Sequence, residues 1–370
     1  MATPLRVERS WVERARSFAD REIAPRAEAM DRDDALPTEL LHSLADSQLL
    51  GISVPAEFGG GSAGSATLAA VLEEISRASA AVAVLLAVHL SVCAAPITEW
   101  GTPEQKERCL RPLAAGHWIG AFGLTEPSAG SDAKGLTTRY SSSAEGFTIT
   151  GSKTFITNGG LADLLLLFAT RDPQLESRGI TAFLLPKGTP GFSVTSRFNK
   201  LGLRGSETTE LSLIDVRLPP AARLGPEGSG LHVALSALTG GRIGIAACAL
   251  GVAQASFESL RHSASRSPSD LSRAQVARAY TDVAAARALL RDTAERRDRG
   301  ERVEQEASAA KLFCSQVAVR VAAEALDRAG RDGEDARTAG RLLRDARVFP
   351  IVEGTTEIQE LILGRSLIGR

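Results

Sequence analysis

Two short segments of the 370-residue chain carry residue types suited to chemistry. The loop 120–132 combines small residues, hydroxyls and a Pro, so backbone N–H groups and hydroxyls can approach a bulky, charged partner closely. The segment 349–359 places one carboxylate, Glu353, between an apolar strip and the Gly-Thr start of a helix. Alone, the loop equally fits a plain Gly/Ser connection, so its interpretation depends on the rest of the chain.

Two further segments accompany them. Residues 151–159 form a predicted strand that ends in an Asn-Gly turn, with Phe155 and Thr157 on one face and Ile156 on the other. Residues 200–208 form a basic, hydroxyl-rich turn that leads into another strand.

The elements that must position these segments follow the order helices, strands, helices. The pattern predicts an α+β fold with an N-terminal helical domain over 1–117, a central antiparallel β-domain over 118–226 and a C-terminal helical domain over 227–370. The β-domain is expected to be a small barrel or sandwich. Strands and helices do not alternate, so the glycines of the loop 120–132 are not those of a Rossmann dinucleotide-binding turn. The predicted C-terminal helices are 228–261, 269–299, 304–329, 338–348 and 355–368.

Composition excludes several classes of function. The net charge is −1, so no strong field favours nucleic acid or an anionic membrane. The four cysteines have no metal-ligand or disulfide spacing, and the histidines show none either, which predicts reduced, buried thiols and no metal site. We interpret His89, in an apolar helical run, as a core histidine.

The chain is expected to be cytoplasmic. Its N-terminus mixes acidic and basic residues without an apolar core, unlike a signal peptide. Residues 78–98 contain no charged side chain but include His89 and Pro96, and we interpret them as a buried helix rather than a membrane span.

The four segments, in this order and at these separations, resemble the acyl-CoA dehydrogenase family. The likeness covers nearly the whole chain and includes 54–60 and 241–251. It implies a C-terminal four-helix bundle and an FAD cofactor between the β-domain and that bundle. By matching positions, it implies flavin contacts from Phe122, Leu124, Thr125, Ser131, Phe155, Ile156, Thr157, Thr355 and Glu357.

The resemblance also assigns the chemistry. Glu353 matches the family's catalytic base, which removes the α-proton of an acyl thioester while the β-hydrogen leaves as hydride to the flavin. The thioester oxygen would receive hydrogen bonds from the backbone N–H of Glu353 and a flavin hydroxyl. Arg242 would lie near the base and the thioester, and Ser131 and Gly354 would contact substrate. Some members carry the base just before the family's Arg, but here that position is Gly241.

The chain departs from the family pattern at three places. Val352 replaces the usual aromatic residue before the base. The Arg-x-Phe-Gly turn is shortened and altered around Arg266, and the Gln-x-x-Gly-Gly stretch is altered around Gly330. In the family both stretches reach the adenosine half of the flavin in a neighbouring subunit, so Arg266 and Gly330 remain the candidate contacts there.

Three functions stay open at this level. The first is an acyl-thioester dehydrogenase that passes electrons to a flavoprotein, with CoA or an acyl carrier protein as the handle of the substrate. The others are an oxidase that uses oxygen and a flavin-free scaffold protein. A carrier protein, known from polyketide-type pathways, would require a basic rim, for which Arg139, Arg204, Arg261 and Arg266 are available. A homodimer or homotetramer is expected.

Overall fold

The computed structural model describes residues 7–330 and 333–369, so the N-terminal residues on which the expected absence of a leader rests lie largely outside it, as do Arg331 and Asp332 of the altered Gly-Gly stretch. A helical region, a β-region and a second helical region follow one another, which confirms the predicted α+β order. The N-terminal helices are α1 (Arg9–Phe18), α2 (Ala27–Asp33), α3 (Thr38–Asp46), α4 (Ser65–Ala78), α5 (Ala80–Ala87), α6 (Ala95–Trp100) and α7 (Pro103–Ala114).

Local sequence explains where α7 begins. Thr102 accepts the backbone N–H of Gln105, and the Gln105 side chain accepts the N–H of Thr102 in return. This reciprocal capping box satisfies two donors that a helix start leaves free, and Pro103 costs no hydrogen bond at the first helical position. Gln105 then uses its amide to donate to the carbonyls of Ala221 and Arg223, which ties α7 to the end of the β-region.

The apolar run between α5 and α6 is buried in the protein core. Val88–Ala94 forms a π-helical segment, and the continuous stretch Ala80–Trp100 is long and apolar enough to cross a membrane by length and composition. Ninety-four per cent of its most apolar window is nevertheless buried, and the same test selects Gly230–Arg266, which is also mostly buried. Core helices of this kind pass such a test as readily as membrane spans do.

His89 connects this run to the β-region. Its Nδ1 accepts the N–H of Gly120 at 3.0 Å, so the proton lies on Nε2, which donates to the carbonyl of Leu50 at 3.0 Å. Burial lowers the pKa of His89 to about 4, which keeps the ring neutral. The prediction of a core histidine is confirmed.

In the described part of the chain, eight strands form a single hydrogen-bonded sheet: β1 (Gly120–Gly123), β2 (Arg139–Ser143), β3 (Gly146–Thr157), β4 (Leu164–Thr170), β5 (Ile180–Pro186), β6 (Phe192–Arg197), β7 (Thr208–Leu218) and β8 (Arg223–Leu224). Most pairs are antiparallel, as predicted. However, β1 runs parallel to β4, and β2 makes one parallel bridge with β4. The whole β2–β3 hairpin lies between β1 and β4, which gives the chain enough length for a parallel crossover.

Strand β4 explains how the β-region joins the helices. All seven of its residues are buried. Leu164, Leu166 and Phe168 belong to the core shared with the helices, whereas Leu165 and Leu167 belong to a separate core inside the β-region. Because successive side chains point to opposite faces of a sheet, a continuous apolar strand can contribute to two cores.

The C-terminal helices are α8 (Gly230–Arg266), α9 (Asp270–Asp298), α10 (Glu304–Ala329), α11 (Glu334–Ala346) and α12 (Thr356–Ile368). Helix α10 has the predicted bounds, whereas α8 continues five residues further and α11 begins four residues earlier than predicted. The middle of α8, residues 240–253, is buried throughout and rich in Gly and Ala. Small side chains let other helices approach closely: a Cβ on Gly251 would lie 2.4 Å from the carbonyl oxygen of Glu73 on α4.

The turn 200–208 lies where all three regions meet. Arg344 on α11 makes a bidentate ion pair with Asp31 on α2, in which its two terminal nitrogens donate to the two carboxylate oxygens at 2.7 and 2.6 Å. The buried Asp345 accepts the backbone N–H of Leu203 at 2.6 Å. We call these contacts of Asp31, Leu203, Arg344 and Asp345 the three-way joint.

Candidate active site

Glu353 stands on a tight connection between α11 and α12. The segment is anchored by Phe349, which is fully buried, and by Thr355, whose hydroxyl caps the start of α12. Glu353 and Gly354 both have positive φ angles, 55° and 89°. A left-handed conformation is ordinary for glycine but costs free energy at a glutamate, which indicates that surrounding contacts hold this turn in place.

The carboxyl group of Glu353 points into the protein towards α8. Although the residue as a whole is partly exposed, its Oε2 atom is enclosed and accepts no hydrogen bond from the residues that the structure describes. A Cβ on Gly241 would lie 2.6 Å from Oε2 and 2.9 Å from a methyl carbon of Val92. Position 241 must therefore be glycine for the carboxyl group to occupy this place.

Two cations favour the ionised form of Glu353. Burial raises the pKa of the Glu353 carboxyl to about 7, while Arg242 on α8 and Lys311 on α10 pull it downwards. Burial also lowers the pKa of Arg242, and the Nε atom of this buried side chain has no hydrogen-bond partner among the described residues. A carboxyl group with a pKa near neutrality, next to a guanidinium, can accept a proton at physiological pH.

Sequence analysis did not single out Lys311, although a signal for it exists. The residue is fully buried and lies on the same apolar face of α10 as Ala307, Ala310 and Cys314. Its Nζ donates to the carbonyl of Gly354 at 2.7 Å. A lysine in the middle of a helix face that is otherwise apolar is rare enough to indicate a specific partner.

The loop 120–132 is held by a buried ion pair. Lys153 on β3 donates to Glu126 at 2.7 Å and to the carbonyl of Leu124 at 3.2 Å, and both charged side chains are enclosed. Thr137 and Thr138 also donate to Glu126. Burial alone would raise the pKa of Glu126, but the Lys153 ammonium and these hydrogen bonds lower it to about 2. The pair fixes Leu124 and Thr125 beside β3, where Thr154 donates to the carbonyl of Thr125.

The three residues of β3 that are predicted to contact the flavin differ in how far they are exposed. Phe155 has a φ of 56° at an irregularity in the β3–β7 register, and 63% of its side chain is exposed next to the ring of Phe198. Thr157 is partly exposed. Ile156 is 1% exposed and lies in the core of the β-region, so its side chain packs inside the sheet.

Phe122 and Ser131 differ in environment. Phe122 on β1 is partly buried and packs on Phe168, with 5.0 Å between ring centroids. Ser131 is exposed in the loop that follows. Hydrogen bonds from buried Asn158 to the carbonyls of Leu85 and Gly120 tie the end of β3 to β1 and α5. Asn158 is a second residue whose positioning role sequence analysis did not assign.

Comparison with known proteins matches three family models in succession. These are the acyl-CoA dehydrogenase N-terminal domain over residues 7–117, the middle domain over 121–216 and the C-terminal domain over 228–368. The chain belongs to the acyl-CoA dehydrogenase family. It is therefore an FAD-dependent oxidoreductase that dehydrogenates acyl-CoA thioesters.

Individual relatives agree with this assignment. The chain is 43% identical to an acyl-CoA dehydrogenase of Bacillus subtilis (strain 168), over 96% of both chains. It is 37% identical to a short-chain specific acyl-CoA dehydrogenase of Megasphaera elsdenii, over 98% of both. The solved structure of butyryl-CoA dehydrogenase from the latter organism superposes with a TM-score of 0.95 at 35% identity, over the full length of both chains.

The residues of this acyl-CoA dehydrogenase fit a bound flavin. The exposed aromatic ring of Phe155, held at a positive φ beside the ring of Phe198, presents a flat apolar surface. Glu353 Oε2 and Arg242 Nε are enclosed polar atoms that make no hydrogen bond within residues 7–330 and 333–369. Unsatisfied buried polar groups are costly, and a cofactor and its substrate are the expected partners.

The other residues that are predicted to contact the flavin lie at two different places in the structure. Glu357 is exposed in the first turn of α12, beside the Thr355 cap. Arg266 forms an ion pair with Asp335 at the far end of α8, about 36 Å along the helix from Arg242 at ~1.5 Å per residue. Gly330, with a φ of 85°, ends α10. The structure of one chain does not bring Arg266 and Gly330 to Glu353.

Proposed function

We propose that Glu353 is the catalytic base of this dehydrogenase and removes the α-proton of a short-chain acyl-CoA. The observation that carries the proposal is the enclosed Oε2 atom, without a hydrogen-bond partner in the described part of the chain, of a carboxyl group whose pKa lies near 7. Such a group is a stronger base than an exposed glutamate and is still ionised in part at neutral pH. The short-chain specific relative supports the choice of substrate.

Other residues of the chain orient the reaction. Within the part of the chain that the structure describes, the backbone N–H of Glu353 donates to no other group. It is therefore free to donate to the thioester oxygen, where negative charge develops as the α-proton leaves. The Arg242 guanidinium stabilises the ionised base before the transfer and lies beside the thioester. Ser131 and Gly354 complete the proposed substrate contacts.

FAD supplies the two-electron acceptor that takes the β-hydrogen as hydride. The proposed flavin contacts on the chain are Phe122, Leu124, Thr125, Ser131, Phe155, Ile156, Thr157, Thr355 and Glu357. Two observations support flavin binding at this surface: the exposure of Phe155 and the hydrogen bonds that fix the backbone of Leu124 and Thr125. Because the Ile156 side chain is enclosed in the sheet, its contact would come from the backbone. Arg266 and Gly330 would act on the flavin of a neighbouring copy.

The larger assembly is part of the proposal. We propose domains over 1–117, 118–226 and 227–370, a cytoplasmic location and a homodimer or homotetramer. Leu271 and Tyr280 on α9 and Leu367 on α12 are large, exposed apolar residues, as expected of surfaces that associate. Sedimentation of the flavin-loaded protein measures the assembly, and a monomer at micromolar concentration would contradict it.

Anaerobic bleaching of the flavin tests the base. We expect butyryl-CoA to bleach the native enzyme, and Glu353→Gln to retain flavin while bleaching about 10²–10⁴-fold more slowly. Glu360→Gln, an exposed carboxylate on α12, is the matched control and should bleach at the native rate. Native bleaching by Glu353→Gln would refute the assignment.

The same assay shows whether the acyl group is carried by CoA or by an acyl carrier protein. It also identifies the electron acceptor. Bleaching by butyryl-CoA but not by a butyryl-acyl carrier protein supports CoA, and the opposite result overturns it. Re-oxidation by an electron-transferring flavoprotein, with little oxygen consumption, supports a dehydrogenase. Rapid re-oxidation by oxygen alone would instead indicate an oxidase.

A further inference from the structure

Lys311 is a buried cation beside the turn that carries Glu353. Its side chain is fully enclosed on a face of α10 formed otherwise by Ala and Cys. Burying an ammonium group is costly unless it is paired and hydrogen-bonded. Lys311 therefore has to be compensated by the groups it meets, and these belong to the segment that carries the base.

The first compensation is a hydrogen bond to the backbone beside Glu353. Lys311 donates to the Gly354 carbonyl at 2.7 Å. The amide of the fully buried Gln359 donates to the same carbonyl at 3.0 Å and to the Glu353 carbonyl at 3.1 Å. Two side chains from two helices thus hold the turn in which Glu353 and Gly354 have positive φ.

The second compensation is electrostatic. Arg242 from α8 and Lys311 from α10 are the charged groups that act on Glu353. Lys311 in turn interacts with Glu353, Arg242 and Glu357 of α12, and Arg242 interacts with Glu353 and with Glu304 at the start of α10. The base therefore interacts with two cations, each of which stabilises its ionised form.

We propose that Lys311 is a positioning residue with two separable effects, fixing the turn that carries Glu353 and favouring the ionised form of that base. The inference rests on the proposed role of Glu353. It predicts that losing the charge and losing the hydrogen bond change different kinetic quantities.

Two variants separate the effects in the flavin-loaded enzyme. Lys311→Gln can still donate to the Gly354 carbonyl but lacks the charge. We expect the acidic limb of the pH profile of flavin reduction to move up by about one pH unit. The reason is that a nearby positive charge lowers the pKa of a carboxyl group by about one unit or more. At high pH its rate should return to the native value, since burial already lowers the pKa of Lys311 to about 8.

Lys311→Met removes both the charge and the donor. It should show the same shift of the acidic limb and also a lower plateau at high pH, by about 10-fold or more, because the base is less well placed. Cys314→Ala, one turn along the same buried face, is the matched control for a change in the core of α10. It should keep the native pH limb even if it lowers the unfolding temperature.

A second measurement is made without turnover. Its result does not depend on the activity of the variants or on the assignment of Glu353 as the base. Protein labelled with carboxyl-¹³C glutamate is titrated by NMR without substrate, and Glu353→Gln identifies the resonance that titrates near neutrality. That resonance should titrate at higher pH in Lys311→Gln. An unchanged titration and an unchanged acidic limb in folded, flavin-loaded Lys311→Gln would overturn the inference about Lys311. Native bleaching by Glu353→Gln would instead overturn the proposed base.

Discussion

At the scale of single residues, the ionisation of Glu353 sets the pH dependence. Burial raises the pKa of its carboxyl to about 7, so the group is protonated and inactive as a base below that pH. We therefore expect the anaerobic rate of flavin reduction to rise with pH through about 7 and then level off. A rate that is constant between about pH 5 and pH 9 would contradict this environment.

Gly241 provides a second residue-scale prediction. Its hypothetical Cβ would lie 2.6 Å from the Glu353 carboxylate, so Gly241→Ala should displace the base and slow flavin reduction by about 10²-fold. Flavin content, measured by absorbance, should stay native.

Gly244→Ala is the matched control on the same buried stretch of α8. A Cβ there would meet the nearest atom, Ser91 Oγ, at 3.3 Å, a contact that a small adjustment relieves. Equal losses of rate in the two variants would indicate a general effect on α8 rather than a clash with the base.

The residues that could be predicted from the sequence were those that lie in recognisable motifs. Glu353 stands out because its apolar neighbours and the following Gly-Thr form a distinctive local pattern. For Lys311 the sequence shows only a lysine on an otherwise apolar helix face, and its partner, the Gly354 carbonyl, is a backbone atom 43 residues away that no local pattern indicates. Strand alternation does separate Ile156, which packs inward, from Phe155 and Thr157 on the other face, but the positive φ of Phe155 and the register irregularity there could not be predicted.

At the scale of elements, the Lys153–Glu126 pair joins β3 to the loop 120–132. Removing one partner leaves a buried charge uncompensated, so Lys153→Met and Glu126→Gln should each destabilise the protein by about 3–5 kcal/mol. Each should also weaken flavin retention, because Leu124 and Thr125 lose their anchor.

The double variant tests the coupling of that pair. Glu126→Gln with Lys153→Met should be less destabilised than the sum of the single changes, because no charge is left buried. Denaturant unfolding and the flavin dissociation constant measure both effects. Simple additivity would mean that the two side chains do not stabilise each other.

Elements with strong local signals were the best predicted. Helix α10 could be bounded correctly because its apolar spacing is regular and a glycine follows it, at Gly330. The parallel pairing of β1 with β4 could not be predicted, since it joins Gly120 to Leu164 across an intervening hairpin. Long-range pairing is decided by packing between cores, which a single segment does not encode.

At the scale of the whole molecule, the three-way joint predicts a pH-dependent stability. Burial raises the pKa of Asp345 to about 6 from an ordinary value of 3.8. The folded protein therefore loses stability as pH rises from about 4 to 6, when the buried carboxyl must ionise. Asp345→Asn keeps an acceptor for Leu203 and should stabilise the protein by about 1–3 kcal/mol above pH 6, with little effect below pH 4.

Asp31→Asn gives the contrasting result at the same joint. It breaks the bidentate pair with Arg344 and should lower stability at neutral pH. Urea unfolding of the two variants at about pH 4 and pH 8 measures both signs. If Asp345→Asn destabilised the protein at pH 8, the ionised carboxyl would be making a net favourable interaction.

The burial of Ala80–Trp100 has a consequence for biosynthesis. Helix α8, which begins at Gly230, roughly 130 residues later in the chain, packs on α5, on the π-helical segment and on α6. At ~5–20 residues per second, a ribosome needs on the order of ten seconds to reach that helix. During this interval the nascent chain displays a segment that insertion machinery could mistake for a membrane anchor. We expect a holding chaperone to bind chains truncated before residue 230 and to release chains that extend past α8.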